Sequence, residues 1–221
     1  MRPLIACVAL CLLPAGAQAQ PGNHIPHESL AEPPLKTQRT PIAQPPNPRE
    51  ETNVEYFWRK SDEAFHLGDY ERAIGLHKAI VALDPGDVES YGVGAWLLWS
   101  LGRGDEAVEF IGRGLKANPD DWEMWNEAGV QYDFQKRLRE AQEAYAQALQ
   151  LMPKEENSQM LRRRLAHAAE KAGDFKMAVE TWRALANDFP NEVVNKNNLA
   201  RVERLQKEPE QNKTPESQKG S

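Results

Sequence analysis

Trp96 and Trp99 lie three residues apart, a spacing that sets two side chains next to each other on a helix. An indole ring offers a large apolar face and one N–H donor, which is the chemistry of binding rather than of bond making. Trp58, Phe65 and Phe134 extend that chemistry along the chain. Groups for bond making are harder to find. The sequence has no glycine-rich phosphate loop, no nucleophile elbow and no HExxH pair. Its cysteines are Cys7 and Cys11, both near the N-terminus; His66, His77 and His167 stand singly, and His24 and His27 share a proline-rich stretch. A metal site needs several converging ligands. The expectation is therefore a non-enzymatic protein with no cofactor and no metal. A formal net charge of −6 offers no basic footprint for nucleic acid.

The ends of the chain frame the body that must position these aromatics. Arg2 precedes an apolar run from Leu4 to Leu13, and small residues follow up to Ala17-Gln18-Ala19. This is the pattern of a secretory signal peptide over 1–19, with cleavage near Ala19 and a periplasmic or secreted destination. The run is too short for a membrane span, and no other stretch approaches that length. Leu4-Ile5-Ala6-Cys7 resembles a lipobox, but almost no apolar run precedes it. Both cysteines would leave with the signal, so no disulfide is expected in the mature chain. Residues 20–51 are rich in proline and poor in large apolar side chains and read as a disordered linker, as does the polar tail over 208–221.

Between these ends a proline returns on a fixed beat. Pro85, Pro119 and Pro153 are separated by 119 − 85 = 34 and 153 − 119 = 34 residues. A period of that size marks a repeat architecture. A frame with proline at position 32 runs over 54–87, 88–121, 122–155 and, after an insertion at 156–158, 159–192. Position 20 is Ala73, Ala107, Ala141 and Ala178; position 8 is Ser61, Ala95, Gly129 and Ala166. Small residues there let two helices approach closely. Gly68, Gly102 and Gly173 suit the left-handed end of a first helix, and Asp69, Asp105 and Asp174 are placed to cap a second. Ser158 is placed to cap the helix after the insertion. Proline at 32 stops the second helix. Residues 193–207 supply one more helix, with Leu199 and Ala200 on its apolar side, as a cap on the last repeat.

These columns resemble the tetratricopeptide repeat family, most closely in Trp125, Gly129, Tyr132, Ala141, Tyr145, Ala148 and Pro153 of the third copy. Ile80 and Leu185 at position 27, and Gly104 at position 17, depart from the pattern. The resemblance implies an all-α solenoid of four helix pairs plus a capping helix, wound as a right-handed superhelix. It also implies that positions 2, 5, 9, 12 and 13 of each first helix face a concave groove.

In this chain those positions include Trp58, Asp62, Phe65 and His66, then Gly92, Trp96 and Trp99, then Asn126, Asp133 and Phe134, then Arg163, His167 and Lys171. The early half is aromatic. A pocket is expected over Trp96 and Trp99, with Gly92 leaving space one turn away. The later half is more basic, through Arg163, Arg164, Lys171, Arg201 and Arg204, and would suit a peptide with an apolar segment and an acidic end. The Lys/Asn clamp with which some members of the family hold a carboxylate is absent, since Asp62 and Trp96 occupy its places. The expected function is an exported protein–protein interaction scaffold that binds a protein or peptide in its groove, as an envelope assembly or adaptor factor. The alternative is a structural, self-associating subunit, that is, a homo-oligomer.

Overall fold

A computed structural model describes residues 50–211 of the chain. The expected signal peptide, most of the linker and most of the tail lie outside the described residues. Those described form nine helices and no strand: α1 (Asn53–His66), α2 (Tyr70–Leu83), α3 (Val88–Ser100), α4 (Gly104–Ala117), α5 (Trp122–Phe134), α6 (Leu138–Leu151), α7 (Gln159–Lys171), α8 (Phe175–Asp188) and α9 (Val193–Gln211). This is the all-α helical-repeat solenoid, four antiparallel pairs followed by one closing helix. α9 runs past the 207 expected from the sequence, to Gln211.

The punctuation explains the boundaries. Gly68, Gly102 and Gly173 have φ of 75°, 77° and 81°, the left-handed conformation that turns the chain after α1, α3 and α7. Lys136 fills the same role after α5 with φ 60°, a conformation that costs a side chain energy. Asp69 and Asp174 cap α2 and α8 through the backbone N–H groups of Arg72 and Met177. Asp105 does not cap: Arg103 stands at the N-cap of α4, and Asp105 sits inside the first turn, where its charge favours the helix dipole. Ser158 makes no side-chain cap on α7 either; Asn157 Oδ1 accepts the Gln159 N–H instead, at 3.0 Å. The acids after Pro85 and Pro119 do more than their sequence positions alone suggested. Asp87 and Asp121 cap α3 and α5.

The small columns lie where the helices of a pair touch. Ala73, Ala107, Ala141 and Ala178 are fully buried, as are Ala95 and Ala166. In the first and third repeats the position-8 residue meets the residue sixteen further on, in the second helix. Ser61 Oγ lies 2.8 Å from His77 Nε2. A Cβ on Gly129 would come within 2.5 Å of the Tyr145 ring. Ala95 shares a core cluster with Ile111, and Ala166 shares another with Trp182. The core is segmental: one cluster spans Ala64 to Ala144, a second joins α5 and α6 to α7, and a third joins α7 and α8 to α9 through Trp182, Leu185 and Val202. Ile80 and Leu185, the departures at position 27, are fully buried. Gly104 leaves room for the Gln135 amide, which donates to its carbonyl.

Candidate functional site

The first helices of successive pairs meet through their side chains in the order α1, α3, α5, α7, α9. Trp58 Nε1 donates to Asp87 Oδ2 at 2.8 Å. Trp99 stacks on Phe134 with centroids 4.5 Å apart and planes 16° apart. Arg164 Nη1 donates to Asn126 Oδ1 at 2.7 Å, and Lys171 Nζ holds both Asp133 oxygens at 2.8 and 2.7 Å. Arg163 bonds Asn195 at 3.0 Å and Glu192 at 3.2 Å, and Arg201 pairs with Glu170.

This ordering divides the expected site. Trp58, Asp62, Phe65 and Trp96 line one cavity of about 220 Å³ between α1 and α3, with Val93 and Leu97 beside them and Ser61 and His77 beneath. Trp99 is not part of it. Its face is covered by Phe134, so the pocket expected over Trp96 and Trp99 is instead built by Trp96 with α1. Nor does Gly92 leave open space: a Cβ there would meet the Glu127 carboxylate at 2.6 Å. Four of the five basic residues expected in the later half are not free; the fifth, Arg204, is exposed on α9. Arg163, Arg164, Lys171 and Arg201 are each engaged by an oxygen of a neighbouring helix. Asn126 is buried and tied into this network. His167 sets its ring edge-on to Trp182 at 4.9 Å, as part of the packing between α7 and α8.

The cavity walls are held from behind. The Trp58 indole is pinned by Asp87 and meets the His77 ring edge-on at 4.8 Å. Phe65 lies 6.1 Å from Trp96 and 5.6 Å from Tyr70, and is 38% exposed. Asp62 stands at the rim, its side chain 73% exposed, with the equally exposed His66 ring 3.4 Å away. His77 is buried between the Ser61 and Ser90 hydroxyls at 2.8 and 3.3 Å. Burial pushes its pKa down to about 4, against a smaller upward pull from Asp87. The floor is therefore uncharged at neutral pH. The sequence shows His77 standing singly and does not display its serine partners. Its place, sixteen residues after Ser61, could have found them.

Among the described residues no group of three or more His, Cys, Asp or Glu is gathered as a metal site requires, and no helix is long and apolar enough to cross a membrane. Asp, His and Ser meet around His77, but Ser61 lies inside α1, where its backbone N–H is spent on the helix and offers no oxyanion donor.

Two tetratricopeptide repeat family models match the sequence, one over residues 64–128 and one over 123–155. No curated protein sequence matches it. Solved structures with the same fold include the Naa15/Naa10 complex bound to HypK-THB, at 22% identity and a TM-score of 0.55 over 70% of this chain. That match takes in only 23% of the other chain. The MamA RS-1 ArsTM double mutant is 17% identical with a TM-score of 0.56, covering 71% of this chain and 86% of its own. TTC0263, a thermophilic protein of the same repeat class from Thermus thermophilus, is 18% identical with a TM-score of 0.52, covering 70% and 82%. At these identities the likeness is one of fold. Repeats of this kind suggest a scaffold for protein–protein interaction. The two matched models place tetratricopeptide-like repeats over residues 64–155, within a four-pair helical solenoid of the same architecture.

Proposed function

We propose that the chain is an exported scaffold of the bacterial envelope whose row of first helices binds an extended peptide, or a segment of a partner protein, as an assembly or adaptor factor. The observation that carries this reading is the aromatic cavity between α1 and α3. Trp58, Phe65 and Trp96 are gathered there in one opening, and Phe65 is 38% exposed. Aromatic anchors in a small pre-formed pocket are what binding hot spots are made of. Export rests on the signal-peptide pattern of residues 1–19, and the proline-rich stretch would serve as a spacer.

A capture experiment from an envelope fraction tests the reading. The mature chain is compared with a Phe65→Ala/Trp96→Ala version of matched thermal stability. A partner held by the first and lost by the second supports the site; identical capture by both moves binding elsewhere. N-terminal sequencing of the chain recovered from its host should begin just after Ala19.

One observation favours the self-associating reading. Leu67 and Leu101 take the same place in successive turns and are 80% and 39% exposed, and Tyr70 beside them is 37% exposed. Mass measured across a concentration series decides between the two.

A further inference from the structure

The cavity between α1 and α3 is small. Its volume of about 220 Å³ falls below the roughly 300 Å³ at which pockets for drug-sized ligands begin. It has room for one side chain. Three of its walls are aromatic faces, its floor is neutral, and the one charged group lining it is the Asp62 carboxylate. Aromatic faces attract cations, and a carboxylate at the rim adds to that attraction. The surroundings have the same sign. α3 and α5 contain no lysine or arginine, while they carry Glu89, Glu123 and Glu127 and are capped by Asp87 and Asp121. α1 has one arginine and one lysine, and both are committed: Arg59 to Glu51 and Glu63, Lys60 to Glu63; its His66 ring lies beside Asp62.

We infer that this cavity receives a lysine or arginine side chain from an extended, basic partner segment, its stem against Trp58, Phe65 and Trp96 and its charged head beside Asp62. This reverses the partner polarity that the sequence alone implied, because Arg163 and Lys171 are already ion-paired and Arg164 is bonded to Asn126 within the fold. An apolar side chain would use the aromatic walls but leave the Asp62 carboxylate with the neighbouring His66 ring alone. An acidic one would meet carboxylates on α1, α3 and α5. Long cationic side chains are suited to the place, since their stems are apolar and their heads stay wet.

The inference rests on the groove reading above, and the test separates the two. The full mature chain is used to select binders from a library of random twelve-residue peptides. The same selection is run with Asp62→Asn and with Phe65→Ala/Trp96→Ala. Asp62 is exposed, so its replacement leaves the core intact. Peptides recovered by the native chain should be enriched in Lys or Arg next to apolar residues. A recovered peptide should bind about tenfold more weakly when its arginine is replaced by citrulline, the neutral isostere, or when Asp62 is replaced by Asn. Enrichment of apolar peptides without a basic residue, lost in the aromatic double variant, would overturn the cationic assignment and leave the groove standing. Peptides that all three proteins recover equally, or no recovery at all, would overturn both.

Discussion

At the scale of single residues the molecule turns on what faces each small position-8 side chain. The third repeat places Tyr145 there, and the second and fourth set Ile111 and Trp182 in the same core clusters as their alanines. The first places His77 and satisfies both its ring nitrogens with hydroxyls. Burial keeps this imidazole neutral in the folded chain down to about pH 4, whereas in the unfolded chain it takes up a proton below 6.5. The unfolded state thus binds the extra proton over that window, so this residue's contribution to stability falls as pH is lowered from 6.5 toward 4. For a single proton the slope is about 1.4 kcal/mol per pH unit. Urea denaturation of the native chain and of His77→Gln should show it: between about pH 7 and pH 5 the native chain should lose about 2 kcal/mol more than the variant. Equal losses would mean that His77 titrates normally. Sequence columns could not have shown this. Position 8 looks like a single requirement for smallness, yet Ala fits it in the second and fourth repeats while Gly129 has no room for a Cβ under Tyr145. The size of one residue is set by a partner on another helix, and a column read by itself does not display the partner.

At the scale of elements, most of the fold was legible, because backbone chemistry sets helix ends locally. Pro85, Pro119, Pro153 and Pro190 each follow a second helix closely, and the turn glycines end three of the first helices. What was not legible came from contacts between helices: the Glu127 carboxylate over Gly92, Phe134 over Trp99, and the acids that hold Arg163 and Lys171. One element end carries a cost. Lys136 occupies the left-handed position that glycine holds in the other three pairs. Lys136→Gly should stabilise the chain by about 1 kcal/mol in denaturant titration, relieving a conformation that disfavours a Cβ. Lys136→Val should destabilise it, since a β-branched side chain fits there worse still.

At the scale of the whole molecule, a segmental core implies that stability passes from neighbour to neighbour. α9 is the last link. Val202 and Asn195 are fully buried against the fourth pair, and Trp182 and Leu185 belong to the same closure. A chain ending at Glu192 should lose amide-exchange protection in α7 and α8 while α1 to α4 keep theirs. Uniform loss along the chain would mean that it unfolds as a single cooperative unit. The position-8 pairing has a further consequence. Ser61 with His77, or Gly129 with Tyr145, is matched inside one helical hairpin, so a hairpin carries its own lock and key. The polar bonds that reach about one repeat along the chain, Trp58 to Asp87 and Gln135 to the Gly104 carbonyl among them, are matched between particular hairpins. Transplanting a hairpin would preserve its interior and orphan its polar neighbours. The order of the units is thus written in their hydrogen bonds, and their interchangeability in their grease.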